Sequence, residues 1–303
     1  MEVKRREHKI LDHTILSYFL LAVFVSVFEE LLGGLIDRPI AKVIPGYASE
    51  TTFNGETTTT AMGVGVAIAA LLAALIFKLW FKPDFNGCLQ KEGLKTGLLM
   101  LLPFLIFHYT GSVVSWISLG TGSVFIAFLR STAPGFGEEI MFRGLGVANY
   151  MRKIERKDQI KVIFWLSSIV FGLIHIFNIL AGGDPMSVVI QSVYAIGVGM
   201  VFCAVYLRTG NLWPTILGHM TVDLFELIRA DLSGSGGVML GMGVGDWITI
   251  AAGIFAAYWG LRLINPKYYD DIMEIWAAKW NKKTNADTGA SQQTAMPSAS
   301  ITE

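Results

Sequence analysis

The 303-residue sequence has two cysteines, no net charge and few charged residues, and each shortage narrows the possibilities. Cys88 stands in a charged stretch and Cys203 in an apolar run, so neither a disulfide framework nor a cysteine-based metal site is indicated. Lys and Arg total 24, as do Asp and Glu, so no basic excess points to nucleic acid. Gly-x-Ser-x-Gly, Walker and His-Glu-x-x-His patterns are missing, which disfavours a serine hydrolase, an ATPase and a thermolysin-like protease. No internal repeat of the kind found in many secondary transporters is visible. The basic start (Lys4, Arg5, Arg6, Lys9) precedes an apolar run as in a signal peptide, but Phe28, Glu29 and Glu30 stand where a small-residue cleavage site would be. A retained first helix is expected.

What the chain has in quantity is apolar sequence. Hydrophobic residues make up 53% and mean hydropathy is +0.52, well above a soluble domain. They fall into eight segments, at about 15–36, 61–81, 96–119, 122–150, 162–180, 186–207, 212–231 and 238–264. Stretches of about 20 such residues are long enough to cross a bilayer. The fourth is longer, and Pro134-Gly135 is expected to break it into a short arm and a spanning helix. Basic residues mark alternate loops: Lys78 to Lys95, Arg152 to Lys161, Arg208, and Arg262 to Lys283. The intervening loops are poor in them, although the first holds Arg38 and Lys42. Positive residues collect on the cytoplasmic side. The expected fold class is therefore all-α, a polytopic bundle of about eight spanning helices with both termini cytoplasmic.

Residues 1–267 form the transmembrane domain in this scheme, with the motif-bearing core at about 122–231. The Thr-rich stretch 50–60 lies outside, and 268–303 is a cytoplasmic segment. Within that segment an amphipathic stretch at 272–280 is suited to a membrane surface, and the polar tail from about 281 to disorder.

Ionisable residues inside apolar helices are the informative exceptions. Each costs roughly 2.5–3.5 kcal/mol at a helix centre on insertion scales. Glu138 and Glu139 are adjacent and so point about 100° apart, which gives them different work. Glu139 and Arg143 are four apart with the acid first, the favourable order for a pair. Glu138 is left to face a neighbouring helix, where a desolvated carboxylate makes a useful general base. His175 stands four after Phe171, with Asn178 beyond it. His219 and Asp223 are again four apart, so the carboxylate can orient the imidazole. Glu226 and Arg229 are read as a structural pair, and Glu29, Glu30 and His108 as structural residues. Glycines at 135, 137, 144, 146, 172 and 218 would let the helices pack closely.

Three motifs on three helices, Glu138-Glu139-x-x-x-Arg143, Phe171-x-x-x-His175 and His219-x-x-x-Asp223, resemble the CPBP family. That family contains CAAX prenyl endopeptidases and bacteriocin-processing relatives, also called Abi proteins. The resemblance covers about 134–223 and includes Phe142-Arg143-Gly144 and the run 207–214. It implies peptide-bond hydrolysis within the membrane, on a membrane-associated or lipidated peptide. By analogy Glu138 activates water with Glu139 aiding, His175 and His219 bind that water and the oxyanion, and Asp223 orients the site. Arg143 would be structural. Asp223 stands where many prenyl-processing members have Asn, which weakens the prenyl assignment.

Zinc is an open question at this point. Glu138, His175 and His219 could ligate it, and the family is commonly labelled metalloprotease, but a Glu-activated water needs no metal. The balance leans to the metal-free scheme. Membrane lipid and a peptide substrate are the expected partners, with no nucleic acid, and a prokaryotic plasma membrane the expected location. A non-catalytic immunity or scaffold protein is the first rival, and a proton-coupled transporter the second.

Overall fold

The computed structural model describes residues 9–53, 56–109, 121–180, 183–233 and 244–282. The tail from 283, where disorder is expected, and the ends of the third and eighth apolar segments near 110–120 and 238–243 lie outside these residues.

Each of the eight apolar segments carries a helix. The first is a 30-residue run, Thr14–Val43, longer than the expected 15–36. It comprises α1 (Thr14–Phe28), a π-turn at Glu29–Gly33 and α2 (Gly34–Val43). Along it Phe19, Leu20, Val23, Phe24, Val27, Leu31 and Leu35 are exposed, an apolar stripe suited to lipid. A hairpin follows, β1 (Ser49–Phe53) against β2 (Glu56–Thr60), antiparallel with Ser49 opposite Thr60. Among the described residues the fold is thus helical, as expected, with one short hairpin between the first two apolar segments. Then come α3 (Val64–Trp80) and α4 (Leu94–Tyr109).

The fourth segment does not break at Pro134. It runs as α5 (Thr121–Thr132), π-helical Ala133–Glu138 and Ile140–Val147, and α6 (Ala148–Arg152). A π-turn widens the helix and can take in a proline that lacks an N–H, without splitting it. The remaining elements are α7 (Asp158–Ile174), its 3₁₀ extension His175–Ile179, α8 (Pro185–Thr209), α9 (Trp213–Ser233), α10 (Val244–Leu263) and α11 (Tyr269–Lys279). Among the described residues three helices are long and apolar enough to cross a membrane, Thr14–Val43, Asp158–Ile179 and Pro185–Thr209. Val64–Trp80, Leu94–Tyr109 and Thr249–Leu263 are shorter apolar helices.

Helix α8 is the axis of the bundle, with Val198 to Leu207 all buried. Glycine admits its neighbours. A Cβ on Gly172 of α7 would lie 2.6 Å from the Ser192 carbonyl. Gly197 and Gly253 form the corresponding contact with α10. Such small-residue crossings let helices associate where lipid offers no hydrophobic drive.

The basic segments meet at one end of this bundle. Arg152 pairs with Asp12 at 2.6 Å, Lys157 with Asp270 at 2.6 Å, and Asn211 Nδ2 donates to the Gln90 and Glu92 carbonyls at 2.6 and 2.8 Å. Helix α11 closes the same end. Ile272 and Trp276 are fully buried, Trp276 Nε1 donates to Leu207 O at 2.9 Å, and Trp280 Nε1 donates to Ala148 O at 3.1 Å. Trp280 also stacks on Phe85 at 4.4 Å. The amphipathic stretch therefore turns its apolar face onto protein rather than lipid. At the opposite end Asp37, wholly buried, accepts the backbone N–H groups of Gly63, Gly65 and Val66 and the Tyr47 hydroxyl. That carboxylate serves as the cap of α3, supplied by another helix.

Candidate active site

The motif residues come from three helices and converge. Arg143 Nη1 donates to Glu139 Oε1 at 2.8 Å, and neither side chain has any exposed surface. His219 Nδ1 meets the same oxygen at 3.0 Å. A carboxylate held ionised by an arginine can only accept, so Nδ1 carries the hydrogen and Nε2 is the nitrogen left for chemistry. His219 Nε2 in turn lies 3.5 Å from Asp223 Oδ2. The Phe171 ring completes the support: the Arg143 guanidinium sits 4.0 Å above it, and the His219 and His175 rings lie 5.7 and 5.4 Å away. His175 Nδ1 bonds the Phe171 carbonyl at 2.9 Å. A carbonyl cannot donate, so this imidazole too keeps its proton on Nδ1 and presents Nε2.

Residues 120–225 match the family described as type II CAAX prenyl endopeptidase Rce1-like. The matched stretch contains all three motifs and bears out the resemblance drawn from them. Together with the apolar helices it marks an integral membrane protein with the signature of a CAAX-type protease. No curated protein and no solved structure matches the chain.

Within this Rce1-like segment the structure separates the two adjacent glutamates. Glu138, His175, His219 and Asp223 line a cavity of about 540 Å³, whereas Glu139 is buried behind it with Arg143. Asn178 is at the cavity wall and donates to Gln191 Oε1 at 3.0 Å. Glu138 Oε2 is buried with no hydrogen-bond partner. His108 and Glu226 approach to 3.8 Å, and the Tyr194 hydroxyl meets His108 Nδ1 at 3.1 Å, which fits the structural reading of His108. Glu226 therefore faces His108; the Arg229 side chain lies outside what is described, so the pairing expected between them does too.

One residue read as structural belongs to this cavity. Glu29 lines it, is 7% exposed, and has Oε1 buried without a hydrogen-bond partner. A Cβ on Gly137 would lie 3.1 Å from Glu29 Oε2, so that glycine makes room for Glu29 beside Glu138. Each of the two glutamates sits in its own π-turn, Glu29–Gly33 and Ala133–Glu138. Glu30, its neighbour, points away and is exposed. Among the described residues four carboxylates thus line the cavity (Glu29, Glu138, Asp223, Glu226) with one guanidinium, Arg130.

A catalytic zinc needs three convergent protein donors and an open position. Among the described residues no three His, Cys, Asp or Glu groups come together so as to hold a metal ion. His219 has one nitrogen on Glu139 and the other facing Asp223, and the ring nitrogen of His175 nearest its own backbone is taken by Phe171. Glu138, His175 and His219 share a cavity but do not form a ready-made zinc triad.

Proposed function

We propose that the chain is an intramembrane endopeptidase in which Glu138 activates water against a peptide bond of a membrane-associated peptide. The observation that carries this is Glu138 Oε2, buried, without a partner, and in one cavity with His175 and His219. Every other motif acid has a partner. Glu139 holds Arg143 and His219, and Asp223 faces His219. Of the motif acids, Glu138 is the one left free to take a proton.

In the reaction Glu138 takes a proton from water as the oxygen adds to the carbonyl carbon. The same proton is then available to the leaving amine when the C–N bond breaks. His175 and His219 present Nε2 to the water and to the oxygen of the tetrahedral intermediate. Glu139 acts as a positioning residue, fixing the tautomer and angle of His219, while Arg143 holds Glu139 and rests on Phe171. Asp223 sets the charge at His219 Nε2. The topology that goes with this is eight spans with both termini cytoplasmic, supported by the gathering of the basic segments at one end.

The test is cleavage of a quenched fluorescent farnesylated CAAX peptide, and of an unlipidated apolar peptide, by purified protein in detergent. Glu138→Gln should lower kcat by about 10² or more, the usual range for losing a general base. His219→Ala should do the same, and a zinc chelator should leave the rate unchanged. Full activity in Glu138→Gln would overturn the assignment. Cleavage of the unlipidated peptide alone would keep the protease and remove the prenyl substrate.

A further inference from the structure

Two carboxyls on the cavity wall each have a buried oxygen with no hydrogen-bond partner among the described residues, and the reaction above uses only one of them. Glu138 Oε2 is the first and Glu29 Oε1 the second. Glu29 is 7% exposed and reaches the cavity from the first helical run. A carboxyl desolvated inside an apolar helix, with no bond to offset the loss of water, marks a functional group. The backbone around it is built to admit it. A Cβ on Gly33 would lie 2.9 Å from the Val66 backbone, and one on Gly137 would lie 3.1 Å from Glu29 Oε2. Both approaches require glycine, and together they set the Glu29 carboxyl against the turn that carries Glu138.

Peptide hydrolysis needs two proton transfers, one from water to a base and one from an acid to the leaving nitrogen, because an amide anion is too basic to leave unprotonated. The imidazoles do not supply the second. His175 and His219 keep their hydrogen on Nδ1, bonded to the Phe171 carbonyl and to Glu139, so the nitrogen each presents has no proton to give. Asp223 faces His219 Nε2 at 3.5 Å, Glu226 faces His108 at 3.8 Å, and the Tyr194 hydroxyl meets His108 Nδ1 at 3.1 Å. Glu29 is engaged by none of these. It stands beside Glu138, where two negative charges repel and one proton held on the pair relieves the repulsion.

We infer that Glu29 is the general acid of the site, giving its proton to the leaving amine while Glu138 activates the water. The steps balance. As the water oxygen bonds to the carbonyl carbon, one O–H bond breaks and its proton passes to ionised Glu138. When the C–N bond breaks, the nitrogen takes the proton from Glu29, and the carbonyl re-forms with the water-derived hydroxyl as a carboxylic acid. Glu138 then carries the proton and Glu29 the charge, and transfer between the two carboxyls restores the starting state. The inference rests on the peptidase reading above, in which Glu138 serves both steps, and adds a second acid-base residue from outside the three motifs.

Changing the leaving group tests this, since an alkoxide leaves without prior protonation far more readily than an amide anion. Whichever quenched peptide the full-length parent cleaves in detergent is compared with its depsipeptide analogue, in which an ester replaces the scissile amide. Glu29→Gln should lower the ratio of amide to ester kcat by at least about tenfold, within the usual reach of general acid catalysis. Glu138→Gln should slow both substrates about equally, because both need the water activated. Glu29→Asp keeps a carboxyl and Glu29→Asn is its isostere, so the first should cleave the amide at least about tenfold faster than the second. That pair separates acid chemistry from packing even where Glu29→Gln folds poorly. Equal loss on amide and ester in Glu29→Gln, with Asp and Asn alike, overturns the inference and leaves Glu29 a packing residue. Full amide cleavage in Glu29→Gln also overturns it, and in both cases a loss in Glu138→Gln keeps the protease. Cleavage of neither substrate by the parent removes the protease and this inference with it.

Discussion

Replacing Arg143 with methionine removes the guanidinium paired with Glu139 and leaves a wholly buried carboxylate beside the His219 imidazole. Breaking a buried pair by deleting one partner costs about 3–5 kcal/mol, because the remaining charge stays desolvated. The guanidinium 4.0 Å above the Phe171 ring adds a desolvated cation–π contact of about 2 kcal/mol, part of which the methionine recovers by packing. Arg143→Met is therefore expected to lose at least about 3 kcal/mol, roughly two decades in the folded-to-unfolded ratio. Glu139→Gln alone strands the arginine and should cost a similar amount. The double variant removes both charges, and neutral replacement of a buried pair is often close to neutral in stability. It should lie within about 1–2 kcal/mol of the parent, giving a coupling of several kcal/mol between the two sites. Unfolding in mixed micelles, followed by the fluorescence of the eight tryptophans, measures each corner of the cycle. Additive losses, or an Arg143→Met loss under about 1 kcal/mol, would refute the claim that this pair is the buried support of His219.

Three further outcomes follow from other parts of the fold. Lys279, buried with Nζ donating to Gly87 O at 2.6 Å, has its pKa lowered by burial to about 8 from 10.5. The unfolded chain then binds more protons between about pH 8 and 10.5, so stability rises with pH through that window. Burial pushes Cys88 up to about 11 from 9, which acts in the opposite sense above pH 9. Between pH 8 and 9 the lysine dominates, and denaturation midpoints should rise over that interval in the parent and stay flat in Lys279→Met. Asp37→Ala should cost about 2–4 kcal/mol, since three backbone N–H groups and a tyrosine hydroxyl lose their acceptor. Faster amide hydrogen exchange in the first turn of α3 would identify that cause, and unchanged exchange there would contradict it. Trp276→Phe should cost about 1 kcal/mol for the bond to Leu207 O, and Trp276→Ala about 3–5 kcal/mol. Limited proteolysis after Leu263 checks whether α11 has come off.

The apolar runs made a helix legible in each of the eight segments because length and hydropathy are local properties, and the four-residue spacings made two contacts legible. Glu139–Arg143 meet at 2.8 Å and His219–Asp223 approach to 3.5 Å, each four residues apart. The hairpin was legible in principle: Thr-rich, β-branched strands flank Asn54-Gly55, the commonest two-residue hairpin pair, yet polarity alone suggested a loop. Docking of α11 was not legible, because an apolar face looks the same whether lipid or protein covers it.

Glu29 marks a different limit. Reasoning by helical faces assumes a constant pitch, and that assumption fails at Glu29–Gly33 and again across Ala133–Val147, where the helices turn π-helical. A wider turn shifts every later residue to a new azimuth, so a glutamate pair that periodicity leaves at a helix end is delivered, half of it, into a cavity. The first π-turn brings Gly33 against Val66 of α3, and the second brings Gly137 beside Glu29, so the two irregular turns meet the same neighbours. Irregularity in both partners is what allows two carboxylates from distant parts of the chain to share one wall. The sequence signature of that arrangement is the pair of glycines, Gly33 and Gly137, on either side of the contact, rather than any spacing between the acids themselves.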